Sequence, residues 1–258
     1  MITVISPAKR LNERAPAGET LPMFATDARA LAKLARALSV DDLCGLMDIS
    51  PALAALNHGR FAGFTSAQTY SAAHLFDGDT YAGLEFATLA EDARRWAQGH
   101  LRILSGLYGL LRPMDGIAPY RLEMGSRLAN PKGANLYAFW GDQIAKALRA
   151  QAGEVGATAV LNCASVEYFS AVDQKALGLP VITPVFLETQ NGAAKVVSFW
   201  AKQARGAMAR YACENHITAP ADLCGFDLGG YRFDAGQSNA NRLVFARPYQ
   251  RAGAVAVN

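Results

Sequence analysis

The sequence predicts a mixed α/β fold, and three observations predict it. Short apolar, β-branched runs (MITVIS, ATAVLNCAS, PVITPVFLE) interleave with longer stretches of helical periodicity. The first two runs lead directly into small polar loops, SPAK and NCAS, where open α/β sheets place ligands. Of the 258 residues 51% are hydrophobic, which supplies a substantial core. Yet no run reaches the ~20 consecutive apolar residues that a membrane helix needs. With no internal repeat, low-complexity linker or clear boundary, residues 1–258 read as one domain. Its helical lobe, at about residues 20–100, is inserted after the first strand.

The elements follow in order. MITVIS is a buried strand stopped by Pro7. TDARALAKLARAL is a helix, with Thr26 as its expected cap and leucines 31, 34 and 38 on one stripe. VDDLCGLM after Ser39 and PALAALNHGRF, with Ser50 as cap and Pro51 at its first position, are two short helices. Helical pattern continues to His100, with turn signals at Asp77-Gly78-Asp79. LRILS is a strand entering a glycine-rich loop. NLYAFWGDQIAKALRA reads as one amphipathic helix. ATAVLNCAS is the second buried strand, and Ser165 caps a helix beginning VEYF. PVITPVFLE and AKVVSFWAK are strands joined at Asn191-Gly192, a hairpin signal. Helix is expected from about Ala201, and GYRFD and RLVFARP close the chain as strands.

Charge and cysteine content narrow the function classes. A net charge of +3 is too small to announce a nucleic-acid binder, but its distribution is uneven. KVVSFWAKQARGAMAR carries Lys195, Lys202, Arg205 and Arg210 without an acid, and the tail adds Arg242, Arg247 and Arg251. Cys44, Cys163, Cys213 and Cys224 form no CxxC pair and read as small buried hydrophobes. The four histidines are dispersed, so no metal or cofactor is expected. The N-terminus lacks the order of a secretory signal, and the expected location is the cytoplasm.

The densest candidate site is LSGLYGLLRPMDGIAPYRLEMG, residues 104–125. Its glycines permit close backbone approach to a ligand. Arg102, Arg112, Arg121 and Arg127 lie in or beside it, and Tyr108 and Tyr120 add stacking surface. In an extended segment Arg121 and Glu123 share a face, either as an anion site or as a structural ion pair. In NCASVEYF, Asn162, Ser165 and Glu167 follow a strand and open a helix, although Glu167 disfavours a phosphate there. Ser6 and Lys9 occupy the loop after strand one. No GxGxxG, P-loop or GxSxG is present. The two helices at about residues 41–60 have a helix-hairpin-helix layout, but the hairpin has no glycine and three aspartates lie nearby.

SPAK, HLRILSGLYGLLRP, PYRLEMG, LYAFWGD, NCASVEYF, PVFLE, SFWAKQARGAMARY and the closing GYRFD and LVFARP occur in this order from Ile2 to Pro248. In these motifs the chain resembles the bacterial peroxide-stress YaaA family. The resemblance implies a cytosolic protein of the peroxide-stress response that helps limit free intracellular iron. It implies a family-specific single-domain mixed fold with a helix-hairpin-helix element, and a basic cleft that binds double-stranded or structured DNA. No enzymatic activity is attached to it. Carried by motif, it places Lys9, Arg102, Tyr108, Tyr120, Arg121, Glu123, Lys202 and Arg205 at the cleft; Arg112 joins them from the loop reading.

Two functions stand open at this point. One is a DNA-binding stress protein using those cations and tyrosines. The other is an enzyme acting on a nucleotide or similar phosphorylated small molecule. Its pocket would be polar, built from Ser6, Glu123, Asn162, Ser165 and Glu167 beside Arg121. Either way the loop is expected to hold an anion.

Overall fold

The computed structural model describes residues 1–249; Arg251, one of the basic tail residues, lies outside them. The frame is one mixed sheet. Its strands are β1 (Ile2–Ile5), β2 (Leu101–Ser105), β3 (Gly109–Leu111), β4 (Val160–Asn162), β5 (Val181–Gln190), β6 (Ala193–Lys195), β7 (Arg232–Asn239) and β8 (Arg242–Pro248). The order is β7-β8-β5-β4-β1-β2-β3, with β6 paired to β5. The five central strands, β8 to β2, run parallel, with β7 and β3 antiparallel at the edges. Strands β1, β2 and β4 are buried along their whole length, as parallel strands covered on both faces require.

The chain leaves β1 towards β2 on one side, and leaves β4 towards β5 on the other. The C-terminal ends of β1 and β4 therefore flank the point where the winding reverses, the place where such sheets open a crevice.

The helices that matter for the site are α1 (Ala25–Arg36), α2 (Val40–Met47), α3 (Pro51–Ala62), α4 (Asp79–Leu84), α5 (Glu91–His100), α6 (Leu136–Trp140), α7 (Gln143–Glu154), α8 (Val166–Phe169) and α9 (Ser198–Glu214). Helix α9 packs along α4 and against β1, β5 and α5. The lobe between β1 and β2 adds two small antiparallel pairs, Arg10–Leu11 with Phe76–Asp77 and Tyr70–Ser71 with Gly116–Ile117.

Local chemistry explains most boundaries. Ser39 and Asp42 form a reciprocal capping box on α2, and Ser50 caps α3 with Pro51 in its first turn. Asn191 and Gly192 both adopt positive φ, as the tight β5–β6 turn demands. Three expectations are corrected. Thr26 does not cap α1, which starts at Ala25 with no side-chain cap. The segment 135–150 is two helices rather than one, because Gly141 (φ 50°, ψ −122°) breaks it. Helix α9 begins at Ser198, so strand β6 stops at Lys195 and the expected AKVVSFWAK strand is cut short.

Helices α2 and α3 form an αα-hairpin, with Asp48 in the left-handed conformation at its turn. The amides of Asp48 and Ile49 both donate to Cys44 O, and the apolar faces (Leu43, Met47, Ala54, Phe61) point into the core. These two turn amides are thus satisfied within the hairpin itself.

Cys163 and Cys213 are buried, and burial pushes both thiols up to about 12; Cys44 and Cys224 are half-buried. Among the described residues no group of His, Cys, Asp and Glu is placed to hold a metal ion. No helix there is long and apolar enough to cross a membrane.

Candidate functional site

A cleft of about 580 Å³ opens at the C-terminal ends of β1 and β4, the switch point of the sheet. The loops leaving these neighbouring strands are tied together there: the Ser165 amide donates to Ser6 Oγ at 2.8 Å, and the two hydroxyls lie 3.3 Å apart. Ser165 also caps α8 through the Tyr168 amide. Ser6 and Ser165 thus act first as struts.

The segment Tyr120–Glu123 forms a second wall. It presses against the end of β2 at Gly106, where an added Cβ would fall 2.3 Å from Leu122 O. Only glycine permits that approach, which explains one glycine of the dense loop. Arg121 Nε donates to Glu123 Oε1 at 2.8 Å, and both side chains are mostly buried. Glu123 Oε2, shielded from solvent, has no hydrogen-bond partner among the described residues. Glu167, on α8, faces the same cleft and accepts the Gly125 N–H on Oε1.

The third wall comes from α9, whose turns place Ser198, Lys202 and Arg205 along one face. The fourth is the stretch from Phe76 into α4. There Asp77 pairs with Arg10 at 2.6 Å, and Asp79 lies 3.8 Å from Lys202 Nζ. Lys9 and Arg205 have no carboxylate partner among the described residues. Burial lowers the Arg205 pKa from its ordinary value.

Three tyrosines complete the interior. Tyr81 donates its hydroxyl to Ser6 O, and the Tyr120 hydroxyl bonds Ser105 Oγ at 2.6 Å. Burial raises the pKa of Tyr81, Tyr120 and Tyr168. They stay neutral and present ring surface.

The structure brings Ser6, Lys9, Tyr120, Arg121, Glu123, Ser165, Glu167, Lys202 and Arg205 to one cleft. It does not bring Arg102, Tyr108, Arg112 or Asn162, which are corrected here. The Arg102 guanidinium is buried against the carbonyls of Gln98 and Leu101, where burial and the nearby Arg112 charge bring its pKa down to about 10. Tyr108 is buried, its hydroxyl accepting the Ala118 N–H. Arg112 pairs with the buried Asp115 and donates to Leu21 O, fastening the entry of the lobe. Asn162 accepts the Ala164 N–H and donates to Thr183, shaping the turn after β4. Sequence reading missed Arg10, Asp79 and Tyr81 as cleft residues. The two acids of Asp77-Gly78-Asp79 registered only as a turn.

A crevice at the switch point of a largely parallel sheet, with mixed charges and aromatic walls, defines a mixed α/β protein whose cleft lies where such sheets place their ligands. Comparison with known proteins names the family. The family described as peroxide stress protein YaaA matches residues 1–237. UPF0246 proteins of Cereibacter sphaeroides (strain ATCC 17029) and Ruegeria pomeroyi are each 56% identical, over 96% and 97% of this chain and 99% and 100% of their own length. One of Dinoroseobacter shibae is 54% identical over 99% of this chain and 98% of its own. The chain belongs to the peroxide stress protein YaaA family, UPF0246.

Proposed function

We propose that this protein serves the peroxide-stress response by binding double-stranded or structurally distorted DNA at the cleft face, and that it helps limit free intracellular iron and oxidative damage. Family membership supports the stress role. One observation supports DNA as the partner: Lys9, Lys202 and Arg205, from stretches nearly two hundred residues apart, converge on one cleft, and neither Lys9 nor Arg205 has a carboxylate partner among the described residues. Cations at the mouth neutralise phosphates and release their counterions, which makes binding fall steeply with salt.

Fluorescence anisotropy of labelled duplex, bubble and junction DNA across a salt series tests this reading. The expected result is salt-dependent binding, strongest for distorted DNA. It should weaken and lose salt slope when Lys9, Lys202 and Arg205 are replaced by alanine. Binding that is absent, or indifferent to the triple substitution, overturns the reading.

A further inference from the structure

The lining of the cleft does not match a phosphate track. Asp77, Asp79, Glu123 and Glu167 stand among its cations, and Arg10 and Arg121 are already held by two of them. Carboxylates repel phosphate but accept hydrogen bonds from the N–H groups of base edges. The volume, about 580 Å³, lies in the range of single small-molecule pockets. A duplex needs an open groove.

Two further observations point inward and outward from the same place. Inside, Glu123 Oε2 is a shielded acceptor without a partner among the described residues, a state whose cost a ligand N–H donor would relieve. Tyr81 and Tyr120 also line the cleft; both are buried with their hydroxyls engaged, so they give that wall a neutral aromatic surface. Outside, Val166 is 85% exposed next to the lining residues Ser165 and Glu167, and Phe199 is 41% exposed next to Ser198. Exposed apolar side chains beside a cleft are suited to fill the gap that an unstacked base leaves.

We infer that the cleft is a single-nucleobase pocket: an amino-bearing base displaced from the DNA stack enters it, Glu123 accepts from its N–H groups, and Val166 and Phe199 occupy the space it vacates. This rests on the DNA-binding reading and deepens it. Lys9 and Lys202, at the mouth, take the flanking phosphates. Extrusion costs least where a base is already unpaired, so distorted DNA is favoured without any contact to the distortion itself. Thymine, which lacks an exocyclic amine, is the poorest occupant.

The test is anisotropy with duplexes that differ only in one bulged position: guanine, adenine, cytosine, thymine, an abasic residue, or no bulge. The wild-type protein should bind the guanine bulge about tenfold more tightly than matched duplex, since a bulge spares the cost of breaking a pair. The abasic bulge should bind no better than matched duplex, and the thymine bulge should fall between. In Glu123→Gln the preference of amino-bearing bases over thymine should collapse. Equal binding of all six duplexes, or an abasic bulge as good as guanine, overturns the pocket and leaves DNA binding standing. Absence of binding to every duplex overturns both.

Discussion

Gly83 of α4 and Gly206 of α9 let the two helices meet backbone to backbone. A Cβ on Gly206 would fall 1.8 Å from Thr80 O, and one on Gly83 would fall 2.0 Å from Gln203 O. This contact sets the distance between two walls of the cleft, Asp79 and Thr80 on one side and Ser198, Lys202 and Arg205 on the other. Gly206→Ala should therefore destabilise the fold by about 3 kcal/mol through overpacking against rigid backbone. Urea denaturation measures the loss. Stability within 0.5 kcal/mol of wild type would show that the helices can part freely, as ordinary surface substitutions allow.

Arg102 and Lys202 should separate structure from binding. Arg102→Ala leaves the carbonyls of Gln98 and Leu101 without their donor and should cost about 1–3 kcal/mol. The salt slope of DNA binding should not change. Lys202→Ala, at a half-exposed site, should leave stability nearly unchanged and reduce the magnitude of that slope by about one. Reversed effects would place Arg102 at the DNA and Lys202 in the scaffold.

Arg247 and Glu188 form a buried ion pair at 2.7 Å on neighbouring strands β8 and β5. The Tyr231 hydroxyl donates to the same Glu188 oxygen, and the guanidinium lies over the rings of Trp200 and Tyr231. Arg247→Ala takes the guanidinium away from the buried Glu188 carboxylate and should cost roughly 3–5 kcal/mol, while Arg247→Met with Glu188→Leu should recover most of it. Thermal and urea unfolding of the three proteins decide this. Equal loss in single and double variants would assign the effect to packing alone.

His100 stacks on Trp96 at 3.6 Å, and His216 also stacks on that ring at 4.7 Å. Burial lowers the His100 pKa below its ordinary 6.5, and burial does the same to His74. The unfolded chain therefore binds more protons than the folded one in this range. The stability these groups contribute is present above about pH 6.5 and lost as pH falls through their folded values. The melting temperature should decline from pH 7 to pH 5, and His100→Gln should flatten the decline. An unchanged profile would place the acid sensitivity in the carboxylates.

Much of this protein was determined by sequence alone, because the signals are local. Ser39, Ser50 and Ser165 mark helix starts by accepting amides three residues away, and Asn191-Gly192 closes its hairpin within four residues. The apolar runs of β1 and β4 show that they are buried. The ordered motifs from SPAK to LVFARP identify the family.

What only the tertiary structure decided are relations across sequence distance. Arg102 and Arg121 look alike in the chain, yet one is buried among carbonyls and the other faces a cleft; no neighbouring residue encodes the difference. Asp77 reads as part of a turn until Arg10, 67 residues away, reaches it. The Tyr120–Glu123 wall, α8 and α9 become one site because β1 and β4 lie side by side where the winding reverses, and the Ser6–Ser165 bond joins loops 159 residues apart. Hydrophobic burial and strand pairing choose those neighbours over the whole chain, and a short window of sequence carries no trace of that choice.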